Sequence, residues 1–335
     1  MHRKLRVGAV VPFLGLVRWQ NLMIIVITQL AMRYLVMDPI LDAMGFTLQL
    51  STFAFAMLVL ATVCIAAAGY VINDYFDIKV DAINKPKRPL VIHQVTRRES
   101  IALHFILNTV GIIAGGYVAF SIHVWGLWLV FPLATGLLWF YSTTYKRQLL
   151  TGNLLVAILT ALVPFMVVVF ELPLLYSCYL PELKSLGLNF NVLTYWVGGF
   201  SFFAFLLTLI REIVKDMEDF EGDAVAGRNS LPLAFGMKSA KIIVLLLTGL
   251  NATFLVYLFI TKLLYLPDGV IDYLSLVYLS LSVFIPSLWM MVLVFKANSK
   301  ADYSKISLLA KLIMLGGILY SVCFFAIVKF QILTL

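Results

Sequence analysis

The chain has 335 residues, 62% of them hydrophobic and 13% charged, with a mean hydropathy of +0.99. A soluble domain is nearer half apolar and a quarter charged, so a water-soluble globule is excluded and a polytopic membrane protein is expected. The net charge of +8 does not indicate nucleic acid, because the basic residues are scattered over loops and form no single stripe.

Met1–Arg6 is basic and an apolar stretch follows. Arg18 and Asn21 interrupt it and no small-residue cleavage site follows, so it reads as an interfacial lead-in to the first membrane helix, not as a cleaved signal. Apolar runs of spanning length lie at roughly 17–36, 51–72, 101–120, 124–142, 153–175, 194–212, 240–261, 273–295 and 306–329. Pro132, Pro164 and Pro286 fall inside such runs and are read as kinks. The segment from about 171 to 193, with Pro173 and Pro181, is read as the longest outer loop. The expected fold is an all-α membrane protein with nine transmembrane helices in one bundle. Residues 1–335 form a single domain in this reading, with a cavity facing the cytoplasm.

With the N-terminus inside, all of the 25 Lys and Arg except Arg33, Lys184, Lys262 and Lys329 fall on inner segments. This asymmetry supports the helix count and the orientation. The three cysteines (Cys64, Cys178, Cys323) and four histidines are isolated, without metal-ligand or disulfide spacing.

Two stretches carry an unusual density of carboxylates. The second helix ends in Asn73-Asp74-Tyr75-Phe76-Asp77-Ile78-Lys79-Val80-Asp81. The sixth ends in Arg211-Glu212-Ile213-Val214-Lys215-Asp216-Met217-Glu218-Asp219-Phe220-Glu221-Gly222-Asp223. At helical spacing Asn73, Asp77 and Asp81 share one face, while Glu212, Asp216, Asp219 and Asp223 follow at steps of four, three and four. Like charges stacked on one face repel, so a compensating cation is expected. Oxygen-only ligand sets suit Mg²⁺, which commonly takes substrate phosphates as further ligands. Glu218 and Glu221 read as solvated helix ends. Each stripe leads into a basic loop, Lys85-Pro86-Lys87-Arg88-Pro89 in the first case and Gly227-Arg228-Asn229 in the second. The pattern suits a diphosphate bridged by Mg²⁺ and clamped by Arg and Lys.

These residues resemble a family. Asn73 to Asp81 as Asn-Asp-x-x-Asp-x-x-x-Asp, followed by Asn84-Lys85-Pro86-Lys87-Arg88-Pro89, is similar to the first signature of UbiA-type intramembrane prenyltransferases. Asp219 and Asp223 resemble the second signature. Tyr141-Ser142-Thr143-Thr144-Tyr145-Lys146-Arg147 with Gly152-Asn153 resembles the third cytoplasmic element, and Arg18-Trp19-Gln20-Asn21 the first-helix signature. The run from Arg211 to Asp223 looks most like the geranylgeranylglyceryl-phosphate geranylgeranyltransferase branch. One departure follows Arg88-Pro89, where Leu90-Val91-Ile92-His93 replaces the usual Ile-Pro-Ser-Gly turn.

The resemblance implies Mg²⁺-dependent transfer of a polyprenyl group from its diphosphate to a membrane acceptor. It implies metal ligands among Asn73, Asp74, Asp77, Asp81, Asp216, Asp219 and Asp223. Arg88 and Lys146 are expected to clamp the diphosphate, with Arg228, Asn21 and Asn84 beside them, and Tyr141 and Tyr145 to offer ring faces to an allylic cation. The first-choice acceptor is a lipid such as geranylgeranylglyceryl phosphate; the alternative is an aromatic quinone precursor of the hydroxybenzoate or naphthoate type. The expected location is the cell inner membrane. A cation-coupled transporter would bury its charges near mid-membrane in broken helices, whereas these lie at helix ends. A CDP-alcohol phosphotransferase would need an Asp-Gly-x-x-Ala-Arg string that the sequence lacks.

Overall fold

The computed structural model describes residues 14–84, 95–264 and 269–332; at 79–84 and 330–332 only the backbone is described. The expected lead-in and the loop carrying Lys85, Lys87 and Arg88 lie outside the described residues, as does Leu90–His93. The fold is all-α. Nine helices among the described residues are long and apolar enough to cross a membrane. They are α1 (Trp19–Ala43), α2 (Thr52–Asn84), α3 (Arg97–Ser121), α4 (Trp125–Thr143), α5 (Thr151–Leu186), α6 (Asn191–Glu218), α8 (Leu231–Leu263), α9 (Tyr273–Lys296) and α10 (Lys300–Ile332). A short helix, α7 (Phe220–Val225), follows α6. Ile113, Leu133, Leu246 and Phe295 are exposed, as expected of faces turned to lipid.

The chain divides into two compact units. The first contains the start of α1, then α2, α3, α4 and α7. In it α3 begins with a capping box: Thr96 Oγ1 accepts from the Glu99 amide at 3.2 Å, and the Thr96 amide donates to Glu99 Oε2 at 2.7 Å. Two glycines let α3 approach its neighbours. A Cβ on Gly111 would stand 2.8 Å from Ile65 of α2, and one on Gly115 would stand 2.4 Å from the Phe131 ring of α4. Small residues at such seams are how apolar helices pack when water supplies no drive. A buried polar chain ties the same three helices. His104 Nδ1 lies 3.0 Å from the Ala68 carbonyl, Asn108 Nδ2 3.0 Å from His104 Nε2, and Thr135 Oγ1 donates to Asn108 Oδ1 at 3.0 Å. The apolar Leu16 and Val17 pack on Ala67 and Val71 of α2, which fixes the entry to α1.

The second unit contains the rest of α1 with α5, α6, α8, α9 and α10. Here a π-helical turn, Met32–Met37, carries the buried Arg33, whose Nη1 lies 3.1 Å from Oε2 of the fully buried Glu171. The Gln49 amide donates to the other Glu171 oxygen. The expected outer loop at 171–193 is helix instead as far as Leu186, with Pro173 and Pro181 inside it and a kink at Tyr179. Membrane helices absorb prolines because neighbouring groups re-satisfy the freed carbonyls. The stop comes at Gly187, left-handed at φ +65, with the Leu188 amide closing on the Leu183 carbonyl at 3.0 Å.

Candidate active site

The carboxylate-rich end of α2 lies in the first unit. Lys146 stands on the 3₁₀ turn Tyr145–Arg147 just after α4. Its Nζ is 2.7 Å from Asp77 Oδ1 and 3.5 Å from Asn73 Oδ1. Arg228 reaches the same Asp77 oxygen with Nη2 at 2.5 Å, and its Nη1 lies 3.0 Å from Asp223 Oδ1. One guanidinium therefore joins a carboxylate from each acidic motif. Arg228 is placed for this by the end of α7: Gly227 is left-handed at φ +64, and the Arg228 amide donates to the Asp223 carbonyl at 3.0 Å. The Lys146 side chain is only 6% exposed. Burial pushes its ammonium below the usual lysine range, although the Asp77 charge pulls the other way.

Asp74 has a different partner. Arg18 Nη2 lies 2.6 Å from Asp74 Oδ1, and the guanidinium sits 5.0 Å from the centre of the Tyr70 ring. Burial alone would lower the Arg18 pKa, but the Asp74 charge and hydrogen bond outweigh it and raise it further. The Arg18 backbone is left-handed at φ +52, a conformation that costs a non-glycine residue energy and is met at functional sites. Asn21 donates its amide to the Arg18 carbonyl at 2.8 Å. Tyr141 acts electrostatically on Arg18, and the Tyr145 ring lies 6.2 Å from that of Phe140. Asp81 and Asn84 continue α2, with their side chains outside the description, and Arg88 lies outside the described residues.

In the second unit, Asn153 Nδ2 donates to Asp216 Oδ2 at 2.7 Å. Glu212 is held by Arg211 at 2.8 Å and Lys215 at 3.5 Å. The stripe expected from Glu212 through Asp223 is not one helix face. Glu218 ends α6, Asp219 leaves helical geometry at ψ 10, and Asp223 belongs to α7. Stacked carboxylates at a helix C-terminus oppose both one another and the helix dipole, which favours a break there.

A hard cation fits this donor set. Asp219 Oδ1 is buried and has no hydrogen-bond partner among the described residues. Such an acceptor is costly unless something positive meets it. Among the described residues no three His, Cys, Asp or Glu are gathered closely enough to form a metal site by themselves; Asp77 and Asp223 are joined through Arg228 instead.

A model described as the UbiA prenyltransferase family matches residues 42–315. The chain belongs to that family. It is 30% identical, over 264 residues, to the digeranylgeranylglyceryl phosphate synthase of Methanothermobacter thermautotrophicus, covering 77% of this chain and 81% of that protein. The fold is similar to a solved digeranylgeranylglyceryl phosphate synthase, with a TM-score of 0.61 at 22% identity, covering 95% of this chain and 100% of that one. It is also similar to a UbiA homolog from Archaeoglobus fulgidus bound to DMAPP and Mg²⁺, with a TM-score of 0.52 at 15% identity, covering 93% and 99%. As a UbiA family member the chain is an integral, multi-pass membrane prenyltransferase. One contact that the sequence left unassigned is Asn153 with Asp216. Its only signal was the Gly152-Asn153 pair beside the basic turn.

Proposed function

We propose that this UbiA family protein transfers a geranylgeranyl-type polyprenyl group from its diphosphate to a membrane lipid acceptor such as geranylgeranylglyceryl phosphate, with release of diphosphate, in a Mg²⁺-dependent reaction. The observation that carries the proposal is the cluster in which Lys146 and Arg228 meet Asp77, and Arg228 also meets Asp223. It brings carboxylates and cations together, which supports the reading of a metal–diphosphate site. The names of the relatives and the DMAPP and Mg²⁺ bound to the Archaeoglobus homolog support the donor, metal and acceptor classes.

In this reading the metal ligands come from Asn73, Asp77, Asp81, Asp216, Asp219 and Asp223. When bound, Mg²⁺ supplies Lewis-acid neutralisation of the charge that grows on the departing diphosphate. Lys146 and Arg228 donate to diphosphate oxygens, with Arg88, Asn21 and Asn84 as further contacts. Asp74 is the counter-charge of Arg18. The faces of Tyr141 and Tyr145 stabilise the allylic cation, and the apolar helices around it exclude water until the acceptor oxygen attacks. The whole chain acts as one prenyltransferase domain in the cell inner membrane. The excess of Lys and Arg on the segments that hold the motifs supports a cytoplasmic active site.

The test is an incubation of purified protein in nanodiscs with Mg²⁺, labelled geranylgeranyl diphosphate and, in parallel, geranylgeranylglyceryl phosphate or 4-hydroxybenzoate. A labelled glyceryl ether that needs Mg²⁺, Asp77 and Asp219 is expected. Product with the aromatic acceptor alone would replace the lipid assignment with quinone-precursor prenylation.

A further inference from the structure

Asp77 Oδ1 receives two cationic groups, Lys146 at 2.7 Å and Arg228 at 2.5 Å, while Asp223, with a side chain 3% exposed, receives the second arm of the same guanidinium at 3.0 Å. Among the described residues, these two carboxylates thus meet two cations within one small, largely buried cluster. A dication added to that cluster would meet Arg228 and Lys146 at close range. At a few ångströms and partial burial, such repulsion far exceeds thermal energy.

We propose that Arg228 is an internal competitor for the divalent metal. Its guanidinium occupies Asp77 and Asp223 until a diphosphate arrives to take it, so that metal and diphosphate each bind weakly alone and tightly together. The inference rests on the assignment of Asp77 and Asp223 as metal ligands. It adds what makes their metal affinity conditional. The fork of Arg228 suits the exchange, because a planar guanidinium pairs as well with phosphate oxygens as with carboxylates. Only the side chain has to move: the Arg228 amide stays bonded to the Asp223 carbonyl, within the turn closed by Gly227. Coupling of this kind is reciprocal, so the metal must raise diphosphate affinity by the same factor as diphosphate raises metal affinity. It would also leave Asp77 and Asp223 with a counter-charge when no donor is present.

The experiment titrates Mn²⁺ into the full-length protein in nanodiscs and reads free Mn²⁺ by electron paramagnetic resonance, with and without inorganic diphosphate. Arg228→Gln should tighten Mn²⁺ binding in the absence of diphosphate by about tenfold or more, the scale of one charged hydrogen bond. It should also weaken diphosphate binding and shrink the coupling factor. Arg228→Lys, which keeps the charge and loses the fork, should stay near wild type for Mn²⁺ alone and recover only part of the coupling. Unchanged or weaker Mn²⁺ binding in Arg228→Gln overturns the proposal. Asp77→Asn separates the two ways of failing. If Asp77→Asn loses Mn²⁺ and Arg228→Gln does not gain it, the competitor role falls and the site stands. If Asp77→Asn binds Mn²⁺ like wild type, the ligand assignment falls and takes the competitor role with it.

Discussion

Arg228 and Asp77 are 151 positions apart in sequence and share a hydrogen bond between Nη2 and Oδ1. Asp77 is the counter-ion of Arg228 and Lys146, and in the function proposed above it is also a metal ligand. On that proposal Asp77→Ala should lower kcat/KM at least 100-fold, through loss of a metal ligand. It should also destabilise the protein, by about 1–3 kcal/mol after allowing for the partly exposed partners. The double variant Asp77→Asn with Arg228→Gln should be less destabilised than the sum of the two single changes. Thermal unfolding in detergent and a double-mutant cycle measure both.

Asn153 carries no charge, yet it fixes Asp216 by donating Nδ2 to Oδ2 at 2.7 Å. If Asp216 binds the metal as proposed above, it gains from having one oxygen anchored. Asn153→Ala should raise the Mg²⁺ concentration for half-maximal activity by about 10- to 100-fold, the usual cost of losing a group that orients a ligand. The maximal rate at saturating Mg²⁺ should recover most of its value. An unchanged Mg²⁺ dependence would remove Asn153 from the site.

How much of this was legible in the sequence depends on the range of the interaction. The helices were, because each needs only about 20 apolar residues and a polar break. Asn73, Asp77 and Asp81 were placed on one α2 face by spacing alone, and the helix continues to Asn84. The α5 helix beyond Glu171 was not, because Pro173 and Pro181 look like loop residues unless the surrounding protein re-satisfies their carbonyls. The break at Asp219 was hidden for the opposite reason, since the periodicity runs on where the backbone does not. The pairing of Arg18 with Asp74, and of Arg228 with Asp77, depends on chain segments brought together by packing, which no local pattern encodes.

The seam between α3 and α4 depends on a missing side chain. A methyl group on Gly115 would lie 2.4 Å from the Phe131 ring, whereas one on Gly136 of α4 would meet nothing within 4 Å. Gly115→Ala should destabilise the protein by about 1–3 kcal/mol through overpacking. Gly136→Ala should be neutral or stabilising by up to about 1 kcal/mol, since alanine is the better helix former. Melting temperatures of the two variants should move in opposite directions, or the first alone should move.

The cluster of Asp77, Lys146, Arg228 and Asp223 contrasts with the pair of Arg33 and Glu171. Both side chains are buried, at 4% and 0% exposed, and Glu171 also accepts the Gln49 amide. The pair belongs to neither acidic motif, and its contacts include those with each other, the Gln49 amide and the Tyr34 ring. Glu171→Gln keeps the shape and the hydrogen-bond acceptor but leaves the Arg33 charge unmatched. It should cost about 3–5 kcal/mol, as the loss of one partner of a buried ion pair does. Arg33→Met with Glu171→Leu removes both charges and should recover most of that loss, leaving the Gln49 amide as the remaining deficit. The folded fraction of each variant should keep the wild-type Mg²⁺ dependence. A shift in that dependence would mean that the pair acts on the catalytic residues as well as on stability.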